Sequence, residues 1–145
     1  MNDIRGNRHL SGTWGEIWVE GFKIAEMSKV SVKVTVNKEE VQTGMDVDTK
    51  IVGAKGEGTL SLVKTYSRFD NYRKQAVKGV DVRTTKIAKL KDPDATGGQT
   101  ERYQISNVSL SEYGFEWEKG AVVKQEIPFT FTPSNMTILD EIEVE

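Results

Sequence analysis

The chain has no cysteine, one histidine (His9) and three prolines in 145 residues. The lack of cysteine excludes a disulfide framework, a thiolate nucleophile and any cysteine-ligated zinc or iron–sulfur site. A single histidine excludes two-histidine metal motifs. It leaves a Ser–His–Asp site only His9, which sits among Asn7, Arg8 and Ser11 in a polar segment with little to fix a general base. Long apolar runs are also missing, so neither a membrane span nor a signal-peptide core is expected. Nor does one sign of charge dominate. Twenty Lys and Arg face 22 Asp and Glu, net −2, whereas a general nucleic-acid binder is usually far more basic. These bounds predict a soluble, cytoplasmically made protein that is not an enzyme, with residues 1–145 as one domain. At this length about two-thirds of the unfolded surface can be buried, so no staples are needed.

The charge is balanced in sum but not along the chain. Residues 66–91 carry eight basic and two acidic residues, net +6; residues 101–145 carry three basic and nine acidic, net −6. Two solvated faces would account for this. So would a self-complementary protein whose basic surface meets the acidic surface of a neighbour, a head-to-tail contact that builds rings or filaments.

β-formers are abundant, with 16 Val and 13 Thr, and alternation recurs. Thr13–Glu20 reads as a strand with Ile17 and Val19 on one face and Trp14 and Trp18 on the other. Glu20-Gly21 reads as a tight turn into a second short strand, Phe22–Glu26. Val30–Val36 is the clearest strand: four valines point one way, and Ser31, Lys33 and Thr35 the other. Thr59–Thr65 is its expected partner, with Leu60 and Leu62 buried. Residues 37–58 between them contain Gly44, Gly53, Gly56, Gly58 and several charges. Met45, Val47 and Thr49 alternate with Asp46, Asp48 and Lys50, which predicts an extended hairpin arm with too few apolar residues for a core of its own.

Residues 67–78 form the one good helical pattern, with Ser67 and Asp70 at capping-box spacing, a stripe of Phe69, Tyr72, Ala76 and Val77, and Gly79 suited to the position after the cap. Strands follow at Val82–Leu90, Glu101–Leu110 and Val122–Thr132. Pro128 implies an edge or a bulge in the last. Asp92-Pro93-Asp94 and Gly97-Gly98 mark an exposed turn, and the acidic tail Leu139–Glu145 is expected to be mobile. The fold class is mainly β (α+β): an antiparallel β-barrel or sandwich with one packed α-helix and a long protruding hairpin arm.

No catalytic constellation stands out. Asp46 and Asp48 resemble a two-carboxylate metal pair but lie on one exposed strand face without a third ligand. Gly53, Gly56 and Gly58 do not open a helix after a strand, so they are not a phosphate loop; they are expected to ease backbone bends at the base of the arm. Trp14, Trp18 and Trp117 could stack a ligand, although such aromatics serve more often as core or interface residues. No catalytic, cofactor-binding or metal residue is assigned.

Several stretches, in order, resemble the tail tube proteins of contractile phage tails and phage-tail-like particles, the XkdM-like family. These are residues 11–21 (Ser-Gly-Thr-Trp-Gly-Glu-Ile-Trp-Val-Glu-Gly), Lys55–Leu60, Tyr66–Phe69, Ile87–Ala95, Trp117–Gly120 and Glu126–Thr132. The residues around Gly97-Gly98-Gln99-Thr100 depart from the family pattern with a longer turn. The resemblance implies a barrel-like protomer with one helix, related in fold to the type VI secretion tube protein Hcp. It implies six protomers per ring and rings stacked into a hollow conduit inside a contractile sheath. It also implies self-association, together with sheath, baseplate, tail-terminator and tape measure proteins as partners, and no membrane. The protein would be made in the bacterial cytoplasm and assembled into a tail or tail-like particle, with DNA in the lumen only if the particle is an infectious phage. On that reading Ser31, Lys33, Thr35, Thr59, Ser61 and Thr65 are candidates for the lumen face. Gly44, Met45, Asp46, Val47, Asp48, Lys50, Gly53 and Lys55 are candidates for an inter-ring arm. The competing reading is a small β-barrel module that binds a small ligand or peptide.

Overall fold

The structure is a computed structural model that describes residues 6, 9–67, 69–93, 99–114 and 116–142. Its elements are β1 (Gly15–Val19), β2 (Phe22–Lys23), β3 (Met27–Thr43), β4 (Asp46–Val63), α1 (Asp70–Val77), β5 (Arg83–Lys91), β6 (Thr100–Leu110), β7 (Lys124–Phe131) and β8 (Met136–Asp140). All pairings are antiparallel in one sheet ordered β2-β1-β5-β6-β7-β4-β3, and β8 adds to β6. The sheet curls on itself around one apolar cluster: Ile17, Val19, Ile24, Leu60, Leu62, Phe69, Ile105, Val108, Leu110, Ile127, Phe129 and Phe131. Twelve such side chains, each stabilising by roughly 1.5–3 kcal/mol when buried, account for a fold without staples.

Local chemistry sets the turns. Glu20 and Gly21 have φ of 52° and 80°, the I′ pattern that matches the twist of a two-residue hairpin. Pro128 lies inside β7, opposite Thr59. Its carbonyl accepts from Ser111 N, so its ring nitrogen faces the same side, just past the last β6 pair (Leu110 with Phe129), where no ladder donor is needed.

Four expectations change. The helix begins at Asp70 with Phe69 at the cap and no side-chain cap, so Ser67 and Asp70 form no capping box. Val30–Val36 pairs with residues 54–60 rather than 59–65, which leaves Thr65 beyond the end of β4. Gly56 and Gly58 do not interrupt β4, which continues through both, whereas Gly53 adjoins the irregularity between the Asn37↔Gly53 and Lys38↔Ile51 pairs. Leu139 and Asp140 belong to β8, with Asp140 ion-paired to Arg102 at 3.0 Å. The turn expected at Asp94 and Gly97-Gly98, and the last three tail residues, lie outside the described residues.

Gly56 and Gly58 have a packing reason. A Cβ on Gly56 would meet the Phe131 ring at 2.4 Å, and one on Gly58 would meet Ser31 O at 2.4 Å and Phe129 Cζ at 2.5 Å. Both glycines make room for the β7 aromatics directly opposite them in register. Those two rings are 6.3 Å apart and tilted, and they floor the core.

Candidate assembly surface

The first half of β4 leaves the body. β7 covers β4 only over residues 56–63, so beyond that point β3 and β4 continue as a two-stranded ribbon. The ribbon closes at Gly44-Met45, with Gly44 at φ +66° and Met45 98% exposed at the apex. The ribbon beyond β7 therefore spans residues 35–55 rather than the expected 37–58, and Val36, Val41, Val47, Ile51 and Val52 along it, with Val34 at its base, are exposed.

One irregularity sets which way the arm's side chains face. On β3 the even-numbered residues Val30, Val32, Val34 and Val36 face the core side. On β4 the even-numbered Gly56, Gly58, Leu60 and Leu62 do the same. The sequence of the arm puts its apolar residues on odd positions, Val47 and Ile51. Between Asn37↔Gly53 and Lys38↔Ile51, β4 carries one extra residue, Val52. Directly opposed residues share a face, so this bulge returns Ile51, Thr49 and Val47 to the side of Val34 and Val36. Asp46, Asp48, Lys50 and Glu39 take the other side.

The polar face of the body is equally regular. Lys29↔Ser61, Ser31↔Thr59, Lys33↔Glu57 and Thr35↔Lys55 are cross-strand pairs on one side, continued on β7 by Glu126, Pro128 and Thr130. Lys33 and Lys55 both reach Glu57, at 3.2 and 4.0 Å. Five of the six lumen candidates share this face; Thr65 does not, because β4 ends at Val63. Lys55, expected on the arm, sits beside Thr35 on the same polar face, and Gly53 faces Asn37 just inside the bulge. Lys29 and Glu57 belong to this face too, and alternation from Ser31 and Thr59 would have found them.

β3 ends the strand order, so among the described residues its outer edge is unpaired over 17 residues. An edge that long is a template for another strand. Beside its start the core opens to a groove of about 570 Å³ lined by Met27, Val30, Val32, Leu90, Tyr103 and Met136. α1 packs Phe69 and Tyr72 on the core and exposes Arg73, Lys74, Val77 and Lys78.

Lys86 is the feature that composition hid. It is 1% exposed, and its Nζ lies 5.7 Å from the Phe69 centroid and 5.1 Å from that of Phe129. Among the described residues that nitrogen has no hydrogen-bond partner. Burial, opposed by the Glu20 carboxylate, pulls the ammonium down to about 8. Its place in alternation with Val82, Ala88 and Leu90 along Val82–Leu90 is the signal that would have found it inward.

Among the described residues the candidate chemical groups do not gather at one place. His9 is exposed. Trp14 lies by Lys89, Lys91 and Pro93, Trp117 lies by Phe69, Arg73 and Tyr113, and Trp18 sits on β1 opposite Ile87, so Trp14 and Trp117 line separate surfaces. Among the described residues no three His, Cys, Asp or Glu side chains are grouped to hold a metal, and no helix is long and apolar enough to cross a membrane.

A sheet with a long free edge and an arm without a partner in its own copy points to assembly, and comparison with known proteins decides the family. The family model for phage tail tube protein matches residues 2–138. The chain belongs to that family. It is 30% identical over 142 residues to the phage-like element PBSX protein XkdM of Bacillus subtilis (strain 168), covering 88% of this chain and 90% of that one. The uncharacterized protein YqbM of the same strain is 30% identical over 138 residues, with the same coverage. In fold, the chain is similar to one in the cryo-EM structure of the anti-feeding prophage cap (AFP tube terminating cap), with TM-score 0.71, 10% identity and 97% of each chain covered. It is also similar to one in the extended sheath-tube complex of the extracellular contractile injection system PVC, with TM-score 0.68, 11% identity and 92% and 93% covered.

Proposed function

We propose that this chain is the structural subunit of the inner tube of a contractile injection tail, in a phage or an R-type bacteriocin, stacking as hexameric rings into a hollow conduit. The observation that carries it is the tail tube family match over residues 2–138, joined to a sheet whose outer edge, among the described residues, is free along β3. Pairing that edge with a neighbour's sheet removes the exposed backbone groups and closes a ring; repeated around six copies, it makes one large barrel with a wet interior. In this reading the face of Lys29, Ser31, Lys33, Thr35, Lys55, Glu57, Thr59 and Ser61 lines the lumen, and the arm reaches the next ring. The fold likeness to chains of sheath-tube and tube-cap assemblies supports a tail setting, with sheath, baseplate and terminator proteins as partners and assembly in a particle. A tape measure protein, and DNA in an infectious phage, would occupy the lumen. The subunit carries out no chemistry itself.

A binding module for a small ligand or peptide is favoured by one feature, the apolar groove beside Met27 and Met136. Electron microscopy of the purified protein separates the two. Hollow rods that grow with concentration are expected; a discrete small species at all concentrations overturns the tube reading. Replacing residues 38–52 by Asn-Gly, which joins the Asn37↔Gly53 pair through a two-residue turn, is expected to leave a folded protein that stops at small oligomers.

A further inference from the structure

We infer that the arm tip of one copy docks on the C-terminal end of α1 of a second copy, setting Val47 and Ile51 against Val77 and Val80; this rests on the tube reading above. Four observations converge on it. First, the bulge at Val52 gathers Val34, Val36, Ile51 and Val47 onto one face, although all four are exposed in a single copy at 43%, 43%, 62% and 61%. A device that aligns apolar side chains where the protomer has nothing to bury them against is explained by a partner.

Second, α1 ends in an unusually bare apolar pair. Val77 is 81% exposed and Val80 51%. The turn that presents them is fixed: Val80 N donates to Gln75 O at 2.9 Å and Gly79 N to Ala76 O at 3.0 Å, with Gly79 at φ +84°. These two bonds are those of a Schellman cap, so the pair is held in place without a neighbour.

Third, the signs of charge match. Residues 37–53 carry Glu39, Glu40, Asp46 and Asp48 against Lys38 and Lys50, net −2. Residues 70–80 carry Arg73, Lys74 and Lys78 against Asp70, net +2. The tip is one ribbon thick, so its acids on both faces act on an approaching lysine, steering the encounter and fixing its register.

Fourth, tip and helix lie at opposite ends of one strand. β4 starts at the tip with Asp46 and finishes at Val63, and α1 begins seven residues later at Asp70. A contact between unlike ends leaves an arm free at one end of any assembly and a helix free at the other, so it extends without limit along an axis.

The test uses the full chain, with tube length read by negative-stain electron microscopy and sedimentation, and folding by circular dichroism and urea midpoint. A threonine inserted between Asn37 and Lys38 gives Val52 a partner, abolishes the bulge and turns Val47 and Ile51 to the opposite face; loss of tubes is expected. Deleting Val52 also abolishes the bulge but keeps both residues where they are; tubes are expected to persist. Lys74→Glu with Lys78→Glu should lose tubes, and adding Asp46→Lys with Asp48→Lys should restore them. Tubes of normal length from the insertion overturn the inference. So does their loss in the deletion, which would credit the bend of the bulge and not the face, and so does a charge reversal without rescue, which points to another occupant for α1. If the unaltered protein forms no tubes, the tube reading itself fails, a result distinct from any of these.

Discussion

The two halves of β4 share a partner strand and a similar density of apolar residues, yet they live under different rules. From Gly56 to Val63 the strand lies between β3 and β7, and Leu60 and Leu62 are sealed at 0% and 1% exposure. From Asp46 to Ala54 it has β3 alone, and Val47 and Ile51 stand in solvent. The difference is not composition but cover. Where β7 supplies Ile127, Phe129 and Phe131, side-chain burial offsets the entropy of ordering the backbone, about 1–2 kcal/mol per residue; on the arm, ladder hydrogen bonds must do so almost alone. The body is therefore a folding unit, and the arm is a surface held ready by it.

The sharpest way to test this division is to place the same substitution in each half. Gly58→Val drives a β-branched side chain into Ser31 O and the Phe129 ring, and the backbone oxygen cannot swing aside. We expect a loss of about 3 kcal/mol or more in urea unfolding, at the upper end for overpacking. Gly53→Val meets only Asn37 Nδ2 at 3.9 Å, and a β-branched residue suits an extended ribbon, so stability should stay within about 0.5 kcal/mol. Equal losses at the two positions would mean that the arm is part of the core.

These glycines also mark how far the sequence could be read. Alternation located the strands up to β7, because a period of two is imposed by the pleat itself, but not β8, whose end reads as part of a mobile tail. It located the arm, because a charged stretch between apolar strands has nothing to bury. It could not separate Gly53 from Gly56 and Gly58, since the reason for the latter two, Phe131 and Phe129, lies more than 70 residues away in the chain. The same limit hid the bulge. Apolar residues are odd-numbered on the β4 part of the arm and even-numbered in the body, and only the extra residue at Val52, seen in the structure, brings them into phase. On the helix, the stripe was visible but its start was not, because Phe69 is fixed by the core and not by a side-chain cap.

A second contrast sets the interior of the body against its surface lysines. Lys86 is the one buried lysine among the described residues, its ammonium pulled down to about 8 from an ordinary 10.5 by burial. The sign follows from linkage. Below pH 8 the folded state must hold a buried charge that the unfolded chain solvates freely. Between about 8 and 10.5 the unfolded state binds the extra proton, so stability rises with pH; above that window the penalty is gone. Lys86→Met removes the penalty and keeps the contact with both rings. We expect a gain of about 2 kcal/mol at pH 7 and a flat profile across the window, discounted from roughly 3 kcal/mol for the whole shift. Loss of stability at pH 7 would show that the ammonium's contact with Phe69 and Phe129 outweighs its desolvation.

The smallest expected effect places the boundary itself. Val32 and Val34 are neighbours on one face of β3, opposite Gly58 and Gly56. Val32 still packs on the core, whereas Val34 is 43% exposed. Val32→Ser should cost about 1–1.5 kcal/mol in the dispersed protein, the share of a half-buried valine. Val34→Ser should cost under about 0.5 kcal/mol, as surface substitutions do. Assembly should reverse the order of interest. If the exposed strip is covered only in the tube, Val34→Ser acts on tube yield and leaves the urea midpoint alone, while Val32→Ser moves the midpoint first. Should Val34→Ser shift the midpoint as far as Val32→Ser, the body extends one pair further along β3 than its burial indicates, and the arm begins beyond Gly56 rather than at it.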